Sequence, residues 1–293
     1  MALDRIIFYQ QPTLRQPDLI AAFLGWPDAA SVSTGTVSYF IDKLPAVRFA
    51  EIKSDDYYNF TLLRPSVLIE SGIMRPVKTS INNFYYWLNT NGERDLILFT
   101  GVEPHLKWES YAETLVELAG YYQVHRFYFI GGLYDRIPHT RETRISGIAN
   151  NPALLEVLFS NGIEPISYHG PSSIHGPLLS ICELRRIPAF SLWGHVPFYI
   201  RAESNPLVCF EVIKKVAHIL KINIDLEDIK KSAESLFNIL NKLIDENEQM
   251  RNFLKTLEAQ YDREGSSMNT EVEGADQIIK DIEDFLRKQR EDG

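Results

Sequence analysis

Two cysteines in 293 residues, Cys182 and Cys209, lie too far apart in sequence to suggest a disulfide framework or the paired ligands of a zinc site. Such sparing use fits a reducing cytoplasm, which is where the chain is expected to reside. No stretch approaches the roughly 18 apolar residues of a membrane helix. The opening MALDRIIFYQQP lacks a basic region followed by an apolar core, so no signal peptide is expected. Nucleotide and metalloprotease signatures are missing too: there is no G-x-x-x-x-G-K-S/T loop, no G-x-G-x-x-G and no H-E-x-x-H. G-x-S-x-G is also absent, so no nucleophile elbow is expected. Basic charge is scarce as well. The formal net charge is −9, and it is unevenly placed. Residues 1–224 hold 20 Lys+Arg against 21 Asp+Glu, whereas residues 225–293 hold 10 against 18. An acidic tail repels phosphate backbones, so nucleic acid is not an expected partner.

What is present points to an α/β core. A 45% hydrophobic content is enough for a substantial interior. The most informative stretch runs from Asp95 to Gly147. Two short apolar runs, Leu96–Thr100 and Phe127–Ile130, each stop at glycine, and Trp108–Tyr122 between them carries a helical stripe at Tyr111, Leu115, Leu118 and Tyr122. That pattern predicts parallel strands joined by a helical crossover. Leu19–Leu24, Phe49–Ile52, Tyr57–Leu63 and Ser66–Glu70 read as further strands. Helices are expected over Thr34–Leu44, from Thr79 or Ser80 to Leu88, after Asn151-Pro152, over Leu178–Leu184, and from Asn205-Pro206 to Leu220. Alternation of strands and helices predicts a three-layer α/β domain over 1–224.

From residue 225 an acidic helical extension is expected. Leu236, Leu240, Leu243, Asn247, Met250, Leu254, Leu257 and Tyr261 form a heptad seam, which predicts one helix over 234–261. A flexible link over 265–274 and a short amphipathic helix over 275–289 follow. The seam fits an intrachain hairpin docked on the body or a coiled coil between chains. Three heptads are few for an independent coiled coil, which favours the hairpin.

Candidate ligand-binding residues gather in loops at the carboxyl ends of strands, where open α/β sheets place their crevice. Glu103 and His105 follow the first run of the crossover. His139, Arg141 and Arg144 follow the second, where two arginine forks and a histidine suit a phosphate or carboxylate. The alternative is that Arg141 and Arg144 pair with Glu103, Asp135 or Glu142 and pin the loop, with Arg141 expected beside Glu103. His169, Ser173 and His175 lie in a glycine-bracketed loop ahead of a helix, either an anion cradle or a structural turn. No catalytic residue, metal ligand or cofactor is assigned.

Several segments together resemble the proteasome-assembly-chaperone family, specifically the bacterial and archaeal relatives of its second eukaryotic subunit. They are GWPDAASVSTG at 25–35, DDYYNFTLLRPSV at 55–67, TGVEPHLKW at 100–108, IPHTR at 137–141, YHGPSSIHG at 168–176 and SLWGHVPFYI at 191–200. The resemblance implies a phosphorylase/hydrolase-like fold with a mostly parallel central sheet and a C-terminal helical extension. It also implies pairing with itself or a related subunit, and a non-catalytic assembly or interaction role. The competing expectation is a small-molecule enzyme of the nucleoside phosphorylase or hydrolase type, using the loops at 101–105 and 131–144. Some archaeal relatives dock on proteasomes through a C-terminal hydrophobic-tyrosine-any tripeptide. Glu291-Asp292-Gly293 does not match that signal, so docking by this route is not expected.

Overall fold

The computed structural model describes residues 2–75, 81–264 and 275–291. Strand β1 (Ile6–Phe8) precedes β2 (Asp18–Leu24), helix α1 (Val32–Lys43) and β3 (Val47–Ile52). A hairpin of β4 (Leu68–Glu70) and β5 (Ile73–Arg75) leads to β6 (Asn83–Trp87) and β7 (Leu96–Val102). Then come α2 (Trp108–Tyr121), β8 (Arg126–Asp135), β9 (Ile145–Ala149), α3 (Leu155–Ser160) and β10 (Glu164–Pro165). Helix α4 (His175–Leu184), β11 (Ala189–Pro197) and α5 (Pro206–Leu220) complete the body. Helices α6 (Glu227–Glu246), α7 (Glu248–Glu264) and α8 (Ala275–Glu291) form the extension.

The main sheet has nine strands in the order β1-β3-β6-β7-β2-β8-β11-β9-β10. Its four central strands, β7, β2, β8 and β11, run parallel, and antiparallel pairs lie toward both edges. Alternation along β2 shows why the middle of such a strand is apolar. Leu19, Ala21 and Phe23 enter the core beneath α2 and α4, while Ile20 and Ala22 enter the core beneath α1 and α5. A stretch buried on both faces favours apolar side chains, and the polar ones that do enter, such as Ser191 and His195 of β11, are hydrogen-bonded. The expected three-layer α/β architecture is present.

Several local expectations are corrected. The segment ending at Leu88 is not a helix: Asn83–Trp87 is β6, hydrogen-bonded between β3 and β7, and its proposed caps Thr79 and Ser80 lie outside the described residues. Phe84 and Tyr86 face one core, Tyr85 and Trp87 the other. Aromatic side chains on both faces make a good strand, and their helix-like spacing is incidental. Tyr57–Leu63 forms turns, with the Leu62 and Leu63 amides donating to the Asn59 carbonyl. From Ser66–Glu70 only Leu68–Glu70 is extended. The glycines after Ile130 do not end the strand. A Cβ on Gly131 would meet the Trp193 ring at 2.5 Å, and one on Gly132 would meet Val32 Cβ at 2.7 Å, so they permit close packing in mid-strand.

The heptad helix over 234–261 is broken at Asn247, which is extended (φ −126°, ψ 110°). Its side-chain oxygen accepts from the Gln249 and Met250 amides, so the asparagine caps α7 instead of fixing a register between chains. Leu236, Leu240 and Ile244 of α6 and Met250, Leu254 and Leu257 of α7 share a third apolar cluster with Tyr199, Ile200 and, from α8, Ile278 and Ile282. The seam is therefore buried within one chain. The link over 265–274 lies outside the described residues; the short helix is α8.

Candidate functional site: two clusters on the strand-end rim

Strand order divides the rim. β2 lies between β7 and β8, so the crossover strands are not neighbours. The loops after β7 and β8 are accordingly separated by two interstrand spacings of about 4.8 Å each. Glu103 and Arg141 do not pair.

Glu103 sits where β2 and β7 end. Its Oε1 accepts from the Ile174 amide at 2.9 Å and its Oε2 from the Trp26 amide at 3.4 Å. Burial pushes its carboxyl pKa up, against the pull of those amides. One carboxylate thus ties the turn after β2 to the start of α4, where the helix dipole favours a negative group. Gly25 (φ +133°) makes this possible, since a Cβ there would meet Glu103 Cβ at 3.0 Å. Ser173 is buried, and its hydroxyl accepts from the His175 amide at 3.2 Å. His175 lies in the core beside Phe23, Phe129 and Trp193, with Nδ1 2.8 Å from Ser191 Oγ. Burial lowers its pKa to about 3, which keeps the ring neutral. His105 accepts from the Asn59 amide through Nδ1 at 3.0 Å and stands edge-on to Tyr58. His169 is exposed on its loop.

The second cluster lies beyond β8 and β11. His139 is buried, with its amide nitrogen and Nδ1 each 2.7 Å from Tyr199 Oη. Burial brings its pKa down to about 4, against the opposing influence of Asn241 and Glu258. Arg141 presents a fork to α7: Nε and Nη2 donate to Asp262 at 2.9 and 2.7 Å, and Nη1 to Glu258 at 3.0 Å. Thr140 also donates to Glu258. The loop at 138–144 does hold carboxylates, and they belong to the chain's own extension. Arg144 bonds Glu164 at 3.0 Å through Nε and lies 3.7 Å from Asp135.

A trio that sequence pattern did not bring together lies beneath Arg144. Asp135 Oδ2 is 2.6 Å from His195 Nδ1, and His195 Nε2 is 2.8 Å from Ser146 Oγ. Burial raises the Asp135 pKa, but the His195 bond, the Arg136 amide and Arg144 outweigh it and leave the carboxyl below its usual range. The connectivity is that of a hydrolase triad. Its setting differs, because Ser146 is wholly buried near the start of β9, between β11 and β10. The trio clamps the ends of β8, β9 and β11. Its members lie on three strands, so no short motif could have found it.

The residues assigned from sequence thus separate into Glu103, Ser173 and His175 around the start of α4, with His105 at the 57–59 turn, and His139, Arg141 and Arg144 under the extension. Among the described residues no helix is long and apolar enough to cross a membrane.

The fold is shared with solved structures. A PAC2 family protein from Streptomyces avermitilis is 28% identical, with 78% of this chain and 96% of that one covered at a TM-score of 0.72. A Mycobacterium tuberculosis proteasome-assembly chaperone homologue is 26% identical, with 80% and 99% covered at a TM-score of 0.72. An archaeal proteasome activator from Pyrococcus furiosus, 23% identical with 81% and 97% covered, shares the fold at a TM-score of 0.62. No curated protein matches the chain in sequence. The signature of the PAC2 family matches residues 22–244, and the chain belongs to that family.

Proposed function

We propose that this chain is a non-catalytic, cytoplasmic, assembly-chaperone-like protein that works by binding other proteins, itself included, with no nucleic acid among its partners. The observation that carries the reading is the occupation of the polar rim. Glu103 is held by two backbone amides, Arg141 by Asp262 and Glu258, and the Asp135–His195–Ser146 relay is buried. In this reading Glu103, His105, His139, Arg141, Arg144, His169, Ser173 and His175 belong to loops whose shape matters more than their reactivity. Residues 1–224 form the α/β body and 225–293 an appended acidic extension. Likeness to the mycobacterial assembly-chaperone homologue supports protein subunits as partners.

The enzyme reading needs the loops at 101–105 and 131–144 to converge on one ligand, and β2 separates them. The test is native mass spectrometry of the purified protein mixed with α-type subunits of a proteasome. A defined complex is expected. Absence of any complex, combined with turnover of a nucleoside in the presence of phosphate, would overturn the proposal.

A further inference from the structure

At the end of the sheet opposite the strand-end rim, three parallel strands begin in register. Asp18 of β2 lies across from Leu96 of β7 on one side and from Arg126 of β8 on the other. Side chains two residues apart in a strand share a face, and Ile20, Leu98 and Tyr128 all enter the core beneath α1 and α5. Asp18, Leu96 and Arg126 therefore form the first row of that face. The end of α5, at Leu220 and Lys221, and the loop at 89–95 complete the walls of a cavity of about 520 Å³ there. That volume lies within the range of small-molecule sites.

Six charged side chains and one histidine wall this cavity, three of each sign, so their partners decide its character. The acids are committed or turned away. Asp95 accepts from the Arg15 amide and guanidinium and from the Asn89 amide, at 2.7 to 2.9 Å, and these bonds pin the loop that carries Arg94. Asp18 Oδ1 lies 3.0 Å from His125 Nδ1, and the Glu93 side chain is 91% exposed. The bases are uncommitted. Among the described residues Arg126 has no carboxylate partner; one Nη donates to Tyr128 Oη at 3.4 Å, and its buried Nε has no acceptor. Arg94 has only Glu93, at 3.7 Å, and its buried Nε is unpaired as well. The Lys221 ammonium has no partner among the described residues. Buried N–H groups without acceptors are costly, and guanidinium forks match phosphate and carboxylate oxygens.

Both arginines bear on one point. Burial and Asp18 push the Tyr128 hydroxyl up to about 12 against the pull of Arg126 and Arg94, so it stays protonated, and its proton has no acceptor among the described residues. The carboxyl end of α5 is the wrong end of a helix dipole for an anion, but its Ala217 and His218 carbonyls are taken by the Ile222 and Lys221 amides. Donors thus come from three elements: the loop at 89–95, β8 and the end of α5. A phosphate monoester offers three terminal oxygens to such a set, a carboxylate only two in one plane.

We propose that this cavity binds the phosphate group of a small phosphorylated polyol or sugar, with Arg94 and Arg126 as forks, the Tyr128 hydroxyl as a third donor and Lys221 at the mouth. The cavity is larger than one phosphate. Asp18, with one oxygen on His125, offers the other to a hydroxyl of the organic portion.

The test is calorimetric titration of the full chain at low ionic strength with glycerol 3-phosphate, inorganic phosphate and succinate. One-site binding of glycerol 3-phosphate is expected, tighter than that of inorganic phosphate, with at least a tenfold loss in Arg94→Gln and in Arg126→Gln. Hydrogen exchange at 89–95 and 219–222 should slow when the ester is bound, and exchange at 138–144 should not. No saturable heat from either phosphate compound at millimolar concentration would overturn the site, as would binding unaltered in both variants. Tighter binding of succinate would overturn the choice of phosphate, and equal affinity for inorganic phosphate the organic portion. Arg126 also stands 5.5 Å over the Phe190 ring, so its replacement bears on folding. Should that variant fail to fold, Arg94→Gln/Lys221→Gln decides, and unchanged binding in it refutes the proposal. The outcome is independent of the assembly role, which stands or falls on complexes with protein subunits.

Discussion

Asp135→Asn keeps the side-chain shape and removes the charge on which the buried relay depends. One native oxygen takes the His195 Nδ1 proton at 2.6 Å, the other accepts from the Arg136 amide at 2.7 Å, and Arg144 stands 3.7 Å away. Asparagine has one acceptor oxygen, so one of those two donors must face its NH₂ group instead. A buried donor left unpaired costs about 1–3 kcal/mol, and a lost charge-assisted bond costs a similar amount, so the variant is expected to lose about 3 kcal/mol at neutral pH. For a chain of this size that is a fall in melting temperature of roughly 6–12 °C. Ser146→Ala, at the far end of the relay, breaks one neutral bond and is expected to cost about 1 kcal/mol. The sign of the pH dependence follows from the depressed Asp135 pKa. Its stabilisation is complete above the unfolded value of about 3.9 and is lost as pH falls through the lower folded value. The deficit of the variant should therefore shrink in strong acid. Calorimetry or circular dichroism at neutral pH and at about pH 3 measures it. A variant that melts within roughly 2 °C of the native protein at neutral pH would refute the reasoning, as would a deficit unaltered by acid.

A serine-directed fluorophosphonate is expected to leave native Ser146 unlabelled, because its hydroxyl is buried inside the sheet; labelling lost on Ser146→Ala would make the trio catalytic. Arg141→Ala should quicken amide hydrogen exchange across 248–264 and leave the sheet's exchange unchanged, and equal protection of α7 in both proteins would show that the fork does not hold it. His139, brought to about 4 by burial, should titrate near that value by NMR, far below an ordinary histidine. A histidine lowered in this way contributes stability that is full above about pH 6.5 and lost as pH falls toward 4, about 3 kcal/mol in all, so unfolding free energy should decline through that window. A His139 resonance titrating near 6.5 would contradict its burial.

Much of the central sheet was legible because residues 19–23 of β2, 96–99 of β7 and 127–130 of β8 are buried on both faces and are apolar runs. Helices α1, α2 and α5 were legible from stripes whose apolar sides meet a single layer. β6 misled because five residues with aromatics on both faces fit a helical spacing as well as a strand, and only pairing with β3 and β7 decides between them. Asn247 was visible as a polar residue in an apolar seam. Whether it would cap a new helix or fix a register depended on the groove that Tyr199 and Ile200 offer, which no local pattern records. The candidate site was legible residue by residue and not as an arrangement. Arg141 reads as a carboxylate receptor in sequence and is one in the structure, but its carboxylates come from residues 258 and 262. Strand order, a non-local property, decided that Glu103 was not its partner.

The placement of those carboxylates bears on where partners should be sought. Arg141 lies within the span matched by the family signature, 22–244, whereas Glu258 and Asp262 lie beyond it. Phe253, Leu254 and Leu257 of α7 join the cluster formed with Tyr199 and Ile200, so the extension covers the rim beyond β8 and β11 through both apolar and ionic contacts. A surface closed by the chain's own helices must be uncovered before anything else can use it, and that subtracts from any partner's affinity. Toward β1 and β3, among the described residues, no extension helix lines the groove by Leu24 and Val102, and Leu68, Ile69, Ile73 and Met74 of the β4–β5 hairpin are exposed. Contacts made through exposed apolar surface carry no cost of displacing α7. A partner approaching the side of β1 and β3 therefore has no extension helix to displace, whereas one approaching beyond β8 and β11 does.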